Sequence, residues 1–487
     1  MSSAIMSGAG MSSAVLAIAK DEWRYWRRSS LAQTVLLIAL VLAIASVWVT
    51  QAAITATAEK RQHMQAEAKQ VFEAQPDRHP HRMIHYGHYL FRAPPPLSAL
   101  DPGIDAFTGN AIFLEGHQQN SATFAEQKQS SGLNWLGKLT PAYVMQVLTP
   151  LLLIVLGFGV MTREREAGTL DFLKVQGVSP LTLMLGKAVA LAGAGLLILA
   201  PLVVGALLTL LNGAALLPVV AFVFAYLLYL AIWCGIVLAV SALASANSSS
   251  FSGLMAVWIL MCLILPRIAG NTASVALASQ GKLETDFAVL QSIRDTGDGH
   301  NANDPAFKAL KDNLLAQYNV ATVEELPVNF RGVISLYSEA HHTEVLNKFA
   351  EQKMQSEQAQ ADIARNFGWL SPVIAIQTAS MKLAGTDLEN YQRFLREAET
   401  IRFDFVQSLN TLHAEGLSYA QDANRYSSQQ AQQEATVSSA NWQILDDFHF
   451  TPLAPMQLFA NSIMALLQLF CAMAVVVGFI LFAGRRI

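Results

Sequence analysis

The run from Ala188 to Pro266, AVALAGAGLLILAPLVVGALLTLLNGAALLPVVAFVFAYLLYLAIWCGIVLAVSALASANSSSFSGLMAVWILMCLILP, contains no Asp, Glu, Lys or Arg. A helix rises about 1.5 Å per residue and a bilayer core is about 30 Å thick, so about 20 mostly apolar residues make one crossing. The run is long enough for three. Two weak breaks divide it: Asn212-Gly213 followed by Pro218, and the polar stretch Ala246-Asn247-Ser248-Ser249-Ser250.

Three more segments satisfy the same rule: Leu31 to Ala53, Tyr143 to Met161 and Pro455 to Phe482. The expected organisation is an N-terminal interfacial segment (1–30), a first span (31–54), a polar insertion (55–142), a second span (143–161) and a loop (162–186). Three spans (187–268), a second insertion (269–454), a last span (455–483) and a short tail (484–487) follow. The fold class expected is an all-α membrane protein with about six transmembrane helices and a mainly helical domain built from the two insertions. Leu31 to Ile54 exceeds the apolar core of a cleaved signal, about 7 to 15 residues, and is read as an uncleaved first span.

Composition agrees. Of 487 residues 53% are hydrophobic and 14% charged, which is a membrane composition, and a formal charge of -4 without a concentrated basic segment excludes a nucleic-acid surface. Cys234, Cys262 and Cys471 all lie in apolar runs, which argues against a disulfide framework or a thiolate zinc site.

Basic residues cluster before span one (Lys20, Arg24, Arg27, Arg28), between spans two and three (Arg163, Arg165, Lys174, Lys187) and at the end (Arg485, Arg486). With six spans all three clusters fall on one side, so both termini are expected in the cytoplasm and both insertions across the membrane. Asp21 to Arg28 mixes aromatic and basic residues, as in a helix lying in the headgroup layer or an irregular anchor. In the first insertion Pro94-Pro95-Pro96 excludes a helix interior. In the second, Leu388, Tyr391, Leu395, Ala398, Ile401, Phe405, Leu409 and Leu412 recur every three or four residues, predicting a long amphipathic helix started at Thr386 or Asp387.

The loop after span two reads Arg163-Glu164-Arg165-Glu166-Ala167-Gly168-Thr169-Leu170-Asp171-Phe172-Leu173, continuing through Gly177-Val178-Ser179-Pro180 to Gly186-Lys187. The acids exceed what topology alone requires, since Lys and Arg would satisfy it. A short helix capped by Thr169 is predicted, with Asp171 in its first turn, Leu170 and Leu173 packed inward and the preceding charges facing water or a partner. This loop resembles that of the ABC-2 permease family, whose second and third spans are joined by a charged run, a Gly-Thr, a short apolar helix and a later Gly-Lys. Phe367, Leu370-Ser371-Pro372, Ala384-Gly385-Thr386-Asp387, Phe394 and Arg402 are similar to a bacterial subfamily with a large insertion before the last span, grouped with permeases for multicopper-enzyme maturation.

The resemblance implies a multi-pass inner-membrane permease that works with separate ATPase subunits carrying ATP and Mg, and with a second permease copy or sister chain. Arg163, Glu164, Arg165, Glu166, Gly168, Thr169, Leu170 and Leu173 would couple it to the ATPase. No cofactor is expected on this chain. It carries no G-x-x-x-x-G-K-[ST] phosphate loop and no H-E-x-x-H or G-x-S-x-G, so no enzyme site is expected. The absence of charge within the spans argues against ion-coupled transport. A mechanotransmitting or maturation subunit acting on a periplasmic partner is the alternative, and a non-transporting receptor a third. Gly157, Gly159, Gly193, Gly195 and Gly205 could admit close helix approach. No metal site is expected: His81, His85 and His88 would share a helical face, but Pro80 and Gly87 weaken that helix and no Cys, Met pair or carboxylate completes a spacing.

Overall fold

A computed structural model describes residues 8–123, 139–278, 282–294, 304–444 and 450–487. Residues 1–7 of the N-terminal segment and 124–138, 279–281, 295–303 and 445–449 of the two insertions lie outside the described residues. The elements are α1 (Gly8–Arg28), α2 (Ser30–Glu73), α3 (Pro80–Tyr86), β1 (His88–Phe91), β2 (Ala111–Leu114), α4 (Pro141–Glu166), α5 (Thr169–Val175), α6 (Pro180–Leu211), α7 (Leu216–Leu243) and α8 (Asn247–Ala276). Then come α9 (Lys282–Arg294), α10 (Lys308–Tyr318), α11 (Phe330–Asn366), α12 (Pro372–Ala384), α13 (Leu388–Gly416), α14 (Tyr419–Asn424), α15 (Gln429–Glu434) and α16 (Pro455–Gly484). Six helices, α2, α4, α6, α7, α8 and α16, are long and apolar enough to cross a membrane. The protein is an all-α membrane protein; one two-stranded antiparallel hairpin, β1–β2, is the only sheet among the described residues.

The breaks fall close to their expected places. Asn212-Gly213 ends α6, with Gly213 at φ +90°, whereas Asn247 to Ser250 form the first turn of α8 rather than the gap, which sits at Ala244 to Ala246. Ser179 caps α6 by accepting from the Thr182 N–H at 3.1 Å, with Pro180 at the first helical position, where its missing N–H costs nothing.

Two spans carry a π-helical turn immediately before a proline, Val144–Leu148 before Pro150 and Ile259–Ile264 before Pro266. Proline lacks the N–H for the carbonyl four residues back and clashes with it, so the widened turn relieves the contact. Carbonyls freed in an apolar environment need new donors. The Tyr229 hydroxyl supplies Gln146 O at 2.5 Å, the Trp258 indole supplies Val147 O at 3.0 Å, and Ser371 supplies Met261 O at 3.1 Å.

The last of these donors belongs to α12, only thirteen residues long. Its Val373, Ala375, Ile376, Ala379 and Leu383 are buried in the same core as the spans, between α7 and α16. The second insertion therefore returns a short apolar helix to the bundle. Its Ser380 donates to the buried Asp101 carboxylate and pairs with the Tyr226 hydroxyl at 2.9 Å.

α2 runs unbroken for 44 residues, about 66 Å at 1.5 Å per residue, so it leaves the bundle and continues into the polar domain. There its Phe72 joins Met83 and Ile84 of α3, Phe405 and Leu409 of α13, and Trp442. Both insertions thus share one core. A buried carboxylate reinforces the junction: Asp422 of α14 meets His79 at 3.0 Å and His413 at 2.9 Å, and accepts from Asn329 at 3.1 Å. Burial alone would raise this carboxyl, but the two histidines and Arg425 hold it far below the usual carboxylate range.

Candidate functional site

The charged run after span two closes the end of the bundle where six helix termini converge. Glu22 of α1 is 1% exposed. Its carboxylate accepts from the Arg163 guanidinium at 2.7 and 2.8 Å and from the Lys187 ammonium at 2.7 Å, while Lys187 also reaches Glu164 at 2.8 Å. The Arg163 guanidinium lies 3.6 Å from the centre of the Tyr25 ring, adding a cation–π contact. One buried acid thereby ties α1 to the end of α4 and the start of α6.

The remaining pair of charges ties α4 to the next turn. Arg165 donates to the Ala242 carbonyl at 2.9 Å and to that of Ala244, at the C-terminus of α7. Glu166 accepts from the Asn247 backbone N–H at 2.7 Å and from the Asn247 amide, at the N-terminus of α8. A cation meets orphan carbonyls and an anion meets orphan N–H groups, the arrangement that helix dipoles favour. Thr162 donates to the Asn247 side chain at 2.7 Å, and Ser241 and Ser250 both donate to the Phe158 carbonyl, at 2.8 and 2.6 Å. At the same end, Gly484 of α16 sits against Met184 of α6.

All four side chains of the Arg-Glu-Arg-Glu run therefore make contacts within the chain, Arg163, Glu164 and Arg165 half-buried and Glu166 exposed. The cap also differs from expectation: Gly168, at φ +68°, precedes α5, and Thr169 is its first residue. The Thr169 hydroxyl donates back to Glu164 at 2.5 Å instead. Leu170 is buried and Leu173 half-buried, as their spacing predicts. What α5 turns outward is apolar: Phe172 is 71% exposed and Val175 88%. Gly177, at φ +83°, ends the element, so a seven-residue helix is bounded by two left-handed glycines.

Sequence reasoning missed Glu22 and Asn247. Glu22 stands in a stretch read only for its aromatic and basic residues, and Asn247 in one read as a break; nothing local marks either as a partner of the loop. Of the five glycines, Gly157 and Gly205 are close approaches: a Cβ would come within 2.7 Å of Leu191 and Val237 at the first, and 2.8 to 2.9 Å from Leu100 and Val47 at the second. Gly159 likewise abuts Asn247 at 2.9 Å, whereas Gly193 and Gly195 make ordinary contacts.

Among the candidate histidines, His81 and His85 lie together on α3, with their Nε2 atoms 3.3 Å apart. His88 does not join them. Gly87, at φ +68°, ends the helix and sends His88 into β1, where it is buried beside Gln65 and burial lowers its pKa to about 4. The polar centre of the polar domain is instead Glu339 of α11, fully buried, which accepts from Arg402 at 2.6 Å and from the His117 backbone N–H at 3.1 Å and lies 3.0 Å from His117 Nδ1. Burial raises this carboxyl, but His117 and Arg402 outweigh it and hold it at about 2.

Residues 283–451 match a family described as a domain of unknown function, DUF3526. No curated protein matches the chain. The matched segment runs from α9 to just before α16, and so includes Glu339, α12 and Arg402 but not the braced loop.

Proposed function

We propose that this chain is the membrane-spanning subunit of an ATP-driven transporter of the ABC-2 type in a bacterial inner membrane, with both termini and α5 in the cytoplasm. The observation that carries the reading is the contrast within one loop: Phe172 and Val175 of α5 point outward while the charges behind them are locked to the ends of α1, α6, α7 and α8. An element built this way receives a push from a docked protein and passes it to four helices at once. The docked protein is a separate ATPase carrying ATP and Mg, and two permeases, identical or sister chains, complete the assembly. Because this chain has no phosphate loop, hydrolysis belongs to that partner.

The second reading, force transmitted to a periplasmic partner without cargo crossing the membrane, draws on α2 and α12. A continuous helix from the bundle into the polar domain, and a helix from that domain returned between α7 and α16, couple movement at one end to the other. Accumulation of cargo in vesicles that contain permease and ATPase selects transport; ATP-driven rearrangement of the polar domain without accumulation selects force transmission.

Phe172→Ser with Val175→Ser is expected to abolish co-purification of the ATPase while changing stability by no more than about 0.5 kcal/mol, as surface substitutions do. Glu164→Ala and Glu166→Ala are expected to leave membrane insertion intact and reduce stimulation of ATPase activity. Undiminished stimulation in all of these variants would remove the loop from the mechanism.

A further inference from the structure

Three imidazoles from two separate segments meet at the surface of the polar domain. His81 and His85 are four residues apart on α3, which puts them on one face, with ring centres 4.8 Å apart. His117 comes from the turn after β2, its ring centre 5.8 Å from that of His81 and 5.5 Å from that of His85. One ligand atom from each of the three lies within 4.8 Å of the others. We propose that His81, His85 and His117 hold a late first-row divalent metal ion of the Zn2+ type, in a three-imidazole site with a coordination position open to solvent.

The spacing suits the ion. Tetrahedral Zn2+ with Zn–N bonds of about 2.0–2.1 Å sets neighbouring ligand nitrogens about 3.3 Å apart, and the two Nε2 atoms on α3 stand at 3.3 Å. The third ring is held from behind. His117 has φ +68°, a left-handed conformation that His adopts more readily than most side chains, and its backbone N–H donates to Glu339 Oε2 at 3.1 Å. The same oxygen lies 3.0 Å from His117 Nδ1, which leaves Nε2 as the ligand atom. A buried carboxylate behind a ligating histidine orients the ring and raises its basicity. Gly116 brings this turn down onto α3, where a Cβ would lie 2.3 Å from Ile84.

Donor type sets the class of ion. Imidazole suits Zn2+, Cu2+ and Ni2+, whereas Mg2+ and Ca2+ require oxygen. His85 is exposed and the other two half-buried, so the ion remains reachable by solvent and by a further ligand. The domain's other histidine cluster, His79, His413 and Asp422, is a poor rival. It is fully buried, and its carboxylate is already neutralised by Arg425, so a divalent cation there would meet positive charge.

The test uses the full-length protein without a polyhistidine tag, purified in detergent, stripped with chelator and titrated with Zn2+. One ion per chain is expected, with Kd on the order of 1 µM or tighter. His85→Ala and His117→Ala should each weaken binding at least tenfold. His88→Ala should not, and Mg2+ in millimolar excess should not compete. Co2+ in place of Zn2+ should give a visible four-coordinate spectrum that His85→Ala abolishes. His85 is exposed, so its loss does not endanger folding. Zn2+ binding that is absent from the parent chain, or that survives both substitutions undiminished, would overturn the assignment and leave His81 and His85 as a hydrogen-bonded pair.

Discussion

Glu22, Arg163, Lys187 and Glu164 illustrate how a membrane protein keeps charge at the end of an apolar bundle. Lys187 and Glu22 are 3% and 1% exposed, so neither can be solvated if the other is lost. Loss of Lys187 leaves Glu22 with Arg163 alone and strips Glu164 of its cation, and removing a buried partner costs up to about 3–5 kcal/mol, well above what a surface ion pair contributes. Lys187→Met is therefore expected to lower the apparent Tm of the purified protein sharply, while Lys174→Met, whose Asp171 partner is 88% exposed, should leave it almost unchanged. Equal Tm values would show that the cluster does not brace the fold. Glu22→Gln combined with Lys187→Met should cost less than the two added, because the two side chains contact each other directly and each single change removes the same contact.

His88 makes a second residue-level prediction. Burial lowers it to about 4, and the unfolded chain would take up the same proton near pH 6.5. Stability present above about pH 6.5 is therefore lost as pH falls toward 4, by about 3 kcal/mol for this group. Burial moves His79 in the same direction. Apparent Tm measured from pH 7.5 to 4.5 should fall, and His88→Gln should flatten the slope. An unchanged slope would assign the acid sensitivity elsewhere.

Among the elements, α13 is legible in the sequence in outline but not in which of its residues are buried. Its start at Leu388, with Asp387 as cap, is where the Gly385-Thr386-Asp387 signal put it. The fully buried stripe, however, runs through Phe394, Ala398, Phe405 and Leu409 and admits Asn390, Arg402 and His413, while Leu388, Tyr391, Leu395, Ile401 and Leu412 flank it half-buried. Apolar periodicity cannot reveal a core whose polar members are neutralised by partners far away in sequence, as Arg402 is by Glu339. The packing of α11 on α13 is close enough to test. A Cβ on Gly332 would fall 2.4 Å from the Ala414 backbone nitrogen, which cannot move aside as a side chain can. Gly332→Ala should destabilise by about 1–3 kcal/mol, whereas Gly270→Ala, with nothing within 4 Å, should not; matching melting curves would refute the close contact. The place of α12 in the bundle is not legible in the sequence, because thirteen residues are too few to cross a membrane.

For the molecule as a whole, the charged ends of the long apolar helices and the polar domain lie at opposite ends of the bundle. The contacts of Glu22, Lys187, Arg165, Glu166 and Gly484 gather the ends of five of the six spans, together with α1, which leads into α2, at one face, and the insertions fold together at the other. The proposed orientation makes a prediction about access. In spheroplasts, a membrane-impermeant maleimide should label Tyr426→Cys, 74% exposed in the polar domain, and should reach Val175→Cys only after lysis. The native cysteines lie within span helices, which keeps the background low. The reverse pattern would put α5 on the wrong side for an ATPase.

Residue order alone determined the six long apolar helices and, to within a few residues, the breaks between them, because desolvating a backbone forces helices of membrane length and the charge-free runs leave no other segments to supply them. It also singled out the loop and two of the three surface histidines. Only tertiary structure decided that Glu22 and Asn247 complete the loop, that α12 returns to the bundle, and that His117 replaces His88. Each of these depends on side chains brought together from distant positions, and a buried charge or a shared ligand leaves no periodic trace in the sequence that carries it.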